Sequence, residues 1–192
     1  MVAASRFEGL YAQDAACTRE RVLERIARIT AENPDIAVAP NYGHFCNLSF
    51  ALAYYFVHTE AGEDADEVLD RIATYMYDFV QAKHRANQEA FAREGLAHVT
   101  GHTIPVMMEM EGHGWHTTVV EDTDETVAYD IEQCIFATLC PAYGVPELGP
   151  IFCHVDDIVL GDLPGVVFER EGTLCLGQHA CDFRFSRAVG EK

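Results

Sequence analysis

The chain has 192 residues, of which 49% are hydrophobic and 23% charged, the make-up of a globular protein rather than a disordered one. Thirteen basic against 31 acidic residues leave a net charge of −18, and such a surface repels phosphate backbones and anionic lipid, which argues against nucleic acid and membrane partners. No apolar run approaches the about 20 residues needed to cross a bilayer, and the start MVAASRFEGLYAQ lacks the basic-then-apolar order of a secretory signal, which points to the cytoplasm.

The length suits one well-buried core, so residues 1–192 are expected to form a single domain with a helical half at about 1–95 and a sheet-rich half at about 96–192. After Thr18, a candidate N-cap, Val22, Leu23, Ile26, Ala27 and Ile29 recur at helical spacing until Asn33-Pro34 stops the run. A second helix follows the loop Ala39 to His44, with Leu48, Leu52, Tyr55 and Phe56 on one face and Gly62 as its stop. Asp64 and Glu67 make a capping pair for a third helix, which carries Val68, Leu69, Ile72, Tyr75, Met76, Phe79 and Val80 and ends near Gly95.

Beyond Gly95 the period changes. Ile104 to Met110 and Thr117 to Val120 read as strand, interrupted by Gly112-His113-Gly114. Thr126 to Ile131 is expected to pair back across the acidic turn Glu121 to Glu125. Ile135 to Tyr143 and Pro146 to Leu160 read as helices, and Gly161 to Gly165 as a turn. Two last strands, Val166 to Leu176 and Ala180 to Arg187, are joined at Gly177-Gln178-His179. Helices first and an antiparallel sheet afterwards, with short inserted helices, predict an α+β fold.

Phosphate loop, dinucleotide glycine fingerprint, GxSxG elbow and HExxH are all missing from the sequence. Serine is scarce (Ser5, Ser49 and Ser186), so cysteine is the natural candidate for a nucleophile. The seven cysteines are odd in number, form no CxxC pair and accompany no secretion signal, which argues against a disulfide framework or a zinc ribbon.

Cys153 lies in Ile151-Phe152-Cys153-His154-Val155-Asp156-Asp157, where a helix places it on one face with Asp156 and Asp157. Carboxylates alone raise a thiol pKa, so this pair relays protons or is simply solvated beside a buried cysteine. Cys134 stands where a strand gives way to a helix, and a helix N-terminus favours thiolate; the alternative is a cysteine filling the joint. In Cys181-Asp182-Phe183-Arg184-Phe185, Cys181 shares a strand face with two phenylalanines, while Asp182 and Arg184 point the other way. Those two either pair structurally, or Arg184 grips a substrate carboxylate. His44, beside Cys46, supplies a base, orients a ligand or merely caps a helix. His113 and His116 are a weak candidate pair for a divalent metal, joined by a cysteine or carboxylate, because fixed zinc-ligand spacings are absent.

Together these segments resemble one family. Glu132-Gln133-Cys134, Tyr143-Gly144-Val145-Pro146-Glu147-Leu148-Gly149-Pro150-Ile151-Phe152-Cys153 with Asp156, Gly172-Thr173-Leu174, Gly177, and Cys181 to Phe185 are similar in order and spacing to L-2-amino-thiazoline-4-carboxylate hydrolases. The resemblance covers Tyr129 to Phe185 well and Asn47 to Ile72 loosely; the segment His113 to His116 matches nothing. It implies a hydrolase acting on a C–N bond of a small cyclic amidine or amide; the family's named activity opens its ring by water attack, turning aminothiazoline carboxylate into N-carbamoyl-cysteine. Cys134, Cys153, Asp156, Cys181, Asp182 and Arg184 fall on its motif positions, with His154 and Asp157 flanking the central cysteine. Cys153, Cys134, Asp156 and Cys181 are thus the catalytic candidates, and Arg184, Asp182, His154 and His44 the substrate contacts. A thiolate attack with an acid protonating the departing nitrogen is one route; an aspartate activating water, with the cysteines only packing, is another. The expected partner is a small molecule carrying a carboxylate, no cofactor is needed, and self-association stays open. The rival reading is a domain that binds or senses a metal, haem or small ligand without catalysis.

Overall fold

The computed structural model describes residues 8–11 and 14–189. Much of the N-terminal stretch read above for a leader lies outside them. A short helix α1 (Glu8–Tyr11) precedes α2 (Ala16–Glu32), α3 (Tyr42–Glu60) and α4 (Ala65–Glu94). Each follows from its pattern. α2 is amphipathic, burying Val22 and Ile29, and ends where the Asn33 amide donates to the Ile29 carbonyl at 2.8 Å and to the Tyr143 hydroxyl at 2.8 Å. α3 is apolar all round and buries an almost unbroken run from Phe45 to Val57, because α2 packs on one side and α4 on another.

Asp64 caps α4 by accepting from the backbone N–H of Asp66 at 3.0 Å and Glu67 at 3.2 Å, satisfying two donors the helix leaves open. Asp64→Ala is expected to lower stability by about 1 kcal/mol, read as a lower urea midpoint at unchanged slope.

The second half carries a four-stranded antiparallel sheet in the order β1-β2-β4-β3, built from β1 (His116–Asp122), β2 (Thr126–Gln133), β3 (Val166–Glu169) and β4 (Cys181–Arg187). One face buries Tyr129, Phe183 and Phe185, with the Tyr129 and Phe183 rings stacked at 5.0 Å, and Phe91 of α4 stacks 6.4 Å from Phe185. Fully burying a phenylalanine contributes roughly 1.5–3 kcal/mol, so this aromatic layer is a main bond between sheet and helices. Helices α6 (Ile135–Ala142) and α7 (Gly149–Leu160) fill the connection from β2 to β3, and α7 lies along α4. The architecture is the expected α+β one. Among the described residues no helix is long and apolar enough to cross a membrane.

Three local expectations are corrected. Ile104 to Met110 is not a strand: a π-helical turn, Val99–Thr103, runs into helix α5 (Ile104–Glu109). Met107 and Met110 are buried while Val106 and Met108 are 40% exposed, a spacing of three that no strand produces, and Pro105 fits a first helical turn where its missing N–H is not needed. The expected helix from Pro146 begins instead as a 3-10 turn, Pro146–Leu148, and the α-helix starts at Gly149 with Pro150 in its first turn. The strand expected over Val166 to Leu176 leaves the ladder after Glu169, because the Asp182 carboxylate accepts the N–H groups of Glu171 at 3.1 Å and Gly172 at 2.6 Å. A second 3-10 turn, Leu174–Leu176, follows, closed by Gly177 in the left-handed region at φ 88°.

Candidate functional site

Four elements bring four thiols to one place. Cys153 sits on the buried side of α7, one turn after Gly149. Cys134 is the N-cap of α6, its sulfur accepting from the Ala137 N–H at 3.4 Å. Cys181 opens β4 on the core face and accepts from the Leu174 N–H at 3.3 Å. Cys175 comes from the 3-10 turn and is the least buried of the four. Its thiol contacts the sulfurs of both Cys134 and Cys153, and the Cys181 thiol contacts Cys153.

This arrangement concentrates negative charge on Cys153. Hydrogen bonds from the thiols of Cys175 and then Cys181 draw its pKa well below the ordinary thiol range; burial opposes them, and the charge of Arg170 and the nearby Thr173 hydroxyl add to the lowering. The Thr173 hydroxyl is itself buried with no full hydrogen bond. Cys134 is lowered too, first by Cys175 and then by the N–H groups of Ala137 and Phe136, although a charge on Cys153 works against it. Two adjacent thiolates repel each other, so a charge on Cys153 disfavours one on Cys134. Cys140, buried nearby without such donors, is pushed up to about 12.

Arg170 is the cation of the site. Its side chain is only 3% exposed, lies 5.3 Å over the Phe183 ring, donates to the Cys153 carbonyl at 2.9 Å and pairs with Asp156 at 3.1 Å and with Asp157. Packing around the Asp156 carboxyl group raises its pKa and Arg170 opposes that rise; with 43% of the side chain still open, solvent moderates it as well. Sequence reasoning missed Arg170, Thr173 and Cys175. The trace they left is faint: Val166, Phe168 and Arg170 alternate onto one face, so an arginine stands where the strand pattern asks for an apolar residue.

The other sequence candidates lie outside the thiol cluster. Asp182 faces the opposite side of the sheet and holds the loop at Glu171 and Gly172. Arg184 is on that side too, 2.7 Å from Asp130 and donating to the carbonyls of Tyr129 at 3.1 Å and Phe183 at 3.0 Å, so it pairs with Asp130 rather than with Asp182. Both line an open cavity of about 710 Å³ whose walls also include Asp157 and Arg170, and none of the four thiols borders it. His154 is exposed on α7, 3.4 Å from Asp157 and edge-on to Tyr77 at 4.8 Å. His44 packs against Trp115 at 5.2 Å and Phe136 at 6.1 Å, and the Phe136 ring in turn stacks on Phe152 at 4.1 Å.

His113 is held through Nδ1 by the Asp35 carbonyl at 3.0 Å, whereas His116 lies 2.7 Å from Glu111 and 3.2 Å from Glu132. Each histidine is thus held by partners of its own. Among the described residues, no group of three or more His, Cys, Asp or Glu side chains is arranged to hold a metal ion. A separate cavity of about 570 Å³ lies between α1, α3 and α4, lined by Asp14, Tyr54, His58, Glu63 and Arg71 among others, and no cysteine borders it.

An α+β chain with a thiol centre between its last long helix and its sheet is the class of protein that the fold and site define. The family model for L-2-amino-thiazoline-4-carboxylic acid hydrolase matches residues 46–185, a span that contains all four thiols and Arg170, and the chain belongs to that family. No curated protein matches the chain.

Proposed function

We propose that the protein hydrolyses a small cyclic amidine or amide of the aminothiazoline-carboxylate kind, with Cys153 as the nucleophile. The observation that carries this reading is the convergence of Cys175, Cys181 and Arg170 on Cys153, which favours its thiolate at neutral pH. The Cys153 sulfur adds to the electrophilic ring carbon, the ring bond to that carbon breaks, and the departing ring atom takes a proton. Water then adds to the same carbon, and the carbon–sulfur bond breaks to return the thiolate, so the net change is one water consumed. Asp156, open on one side and raised by its packing, gives and takes the protons. Arg170, held by Asp156, Asp157 and the Cys153 carbonyl, supports the thiolate through its charge, whereas Arg184 faces away from the thiols.

The test is turnover of 2-aminothiazoline-4-carboxylate and of simple cyclic amides by the purified full chain, with intact-protein mass spectrometry after rapid acid quenching. The expected result is ring opening with a substrate-sized adduct that maps to Cys153. Turnover without any adduct, and undiminished in serine variants of Cys153, Cys134 and Cys181, would eliminate the covalent route in favour of a carboxylate-activated water.

A further inference from the structure

We propose that Cys153 and Cys175 form a redox pair, which a peroxide-class oxidant joins reversibly in a disulfide. Cys175 contacts Cys153 directly, and its position depends on a glycine: a Cβ at Gly149 would lie 3.0 Å from the Cys175 sulfur. Gly149 and Cys153 are one helical turn apart on the same face of α7, so the missing side chain lets Cys175 lie against the face that carries Cys153.

The other sulfur neighbour is less able to close a bond. Cys181 belongs to a ladder strand, paired through its register with Ile131, and its sulfur is held by the Leu174 N–H. Cys175 sits on a three-residue 3-10 turn outside the ladder, beside Leu176, which is 64% exposed. A disulfide demands a narrow range of Cα separation and a fixed torsion, and a surface turn reaches them with a smaller shift than a strand. Cys175 is also only partly buried, whereas Cys134, Cys153 and Cys181 are buried.

The steps balance. The Cys153 thiolate attacks one oxygen of hydrogen peroxide, the O–O bond breaks, and the departing hydroxide takes a proton to leave as water. The Cys175 sulfur then attacks the sulfur of the resulting sulfenic acid, the S–O bond breaks, and that oxygen leaves as a second water with the Cys175 proton. Two thiols are oxidised by two electrons while one peroxide is reduced to two waters. An external thiol reverses the bond by exchange. A sulfur held in a disulfide cannot attack substrate, so hydrolysis stops; that consequence rests on Cys153 being the nucleophile, whereas the disulfide itself does not.

The experiment treats the reduced full chain with hydrogen peroxide, removes the peroxide, and alkylates the remaining thiols under denaturing conditions. Alkylatable cysteines should fall from seven to five, with a peptide containing Cys153 linked to one containing Cys175, and dithiothreitol should restore all seven. Cys181→Ser should still form the link. Cys175→Ser should not, and should instead accumulate sulfinic acid at Cys153. Linkage of Cys153 to Cys134 or Cys181, sulfinic acid at Cys153 with Cys175 still alkylatable, or seven free thiols after treatment would each overturn the pair. Turnover followed in parallel separates the two readings: a mapped disulfide with full turnover keeps the redox pair and sinks Cys153 as nucleophile.

Discussion

Cys153→Ser is expected to lower kcat for ring opening by about 10³-fold or more, the scale seen when a nucleophile is removed and only binding and polar stabilisation remain. The hydroxyl cannot replace the thiolate, because the donors around Cys153 lower a thiol far below neutral pH but leave an alcohol far above it. Cys134→Ser should cost less, about tenfold, since Cys134 shapes the cluster only through Cys175 and the start of α6. The same charge is visible without substrate. Alkylation of an ordinary thiol slows about tenfold for each pH unit below its pKa, whereas Cys153 should keep its rate as pH falls from about 8 to about 6. A Cys153 rate that drops like that of free cysteine would remove the thiolate from the mechanism.

Arg170→Ala is expected to destabilise the protein by about 2 kcal/mol and to abolish most turnover. The substitution strands Asp156, Asp157 and the Cys153 carbonyl without their common donor and removes a cation from the Phe183 face. Losing one partner of a buried pair costs more than this, but Asp156 and Asp157 keep 43% and 47% of their side chains open, and water recovers part of the loss. Arg170→Lys keeps the charge without the fork, so it should recover part of the Cys153 reactivity but not the three-way hold. Chemical denaturation and the alkylation profile of Cys153 read the two effects separately. A stable Arg170→Ala protein with the parental alkylation profile would show that the guanidinium neither holds this corner together nor acts on the thiol.

The helical half was legible because its cause is local. Val22 with Ile29, and Asp64 ahead of Val68, repeat and cap within a few residues, and the structure follows them. Cys134 at a helix start and Cys153 one turn from Asp156 were legible for the same reason. Ile104 to Met110 misled because a short apolar run fits either period until burial chooses one. The strand after Glu169 failed for a non-local reason: Asp182, ten residues past Gly172, takes the N–H that the ladder would have used. Strand alternation placed Cys181 and Arg184 on opposite faces correctly, and for that very reason Arg184 does not face the thiols. The meeting of Cys134, Cys153, Cys175 and Cys181, and Arg170 beneath them, is made by packing between separate elements, which no spacing along the chain encodes.

Asp182 gives this molecule a remote handle. The segment it grips carries Arg170, Thr173 and Cys175, yet its own carboxylate stands on the far side of the sheet. Only glycine fits at position 172, because a Cβ there would lie 2.9 Å from the Ala180 carbonyl oxygen. Small changes at Asp182, or at its outward neighbours Arg184 and Asp130, therefore adjust how firmly those three residues are presented without altering any group at the thiols. A designer seeking to reshape the thiol centre would begin on that outer rim, tuning the tension of the strap from behind.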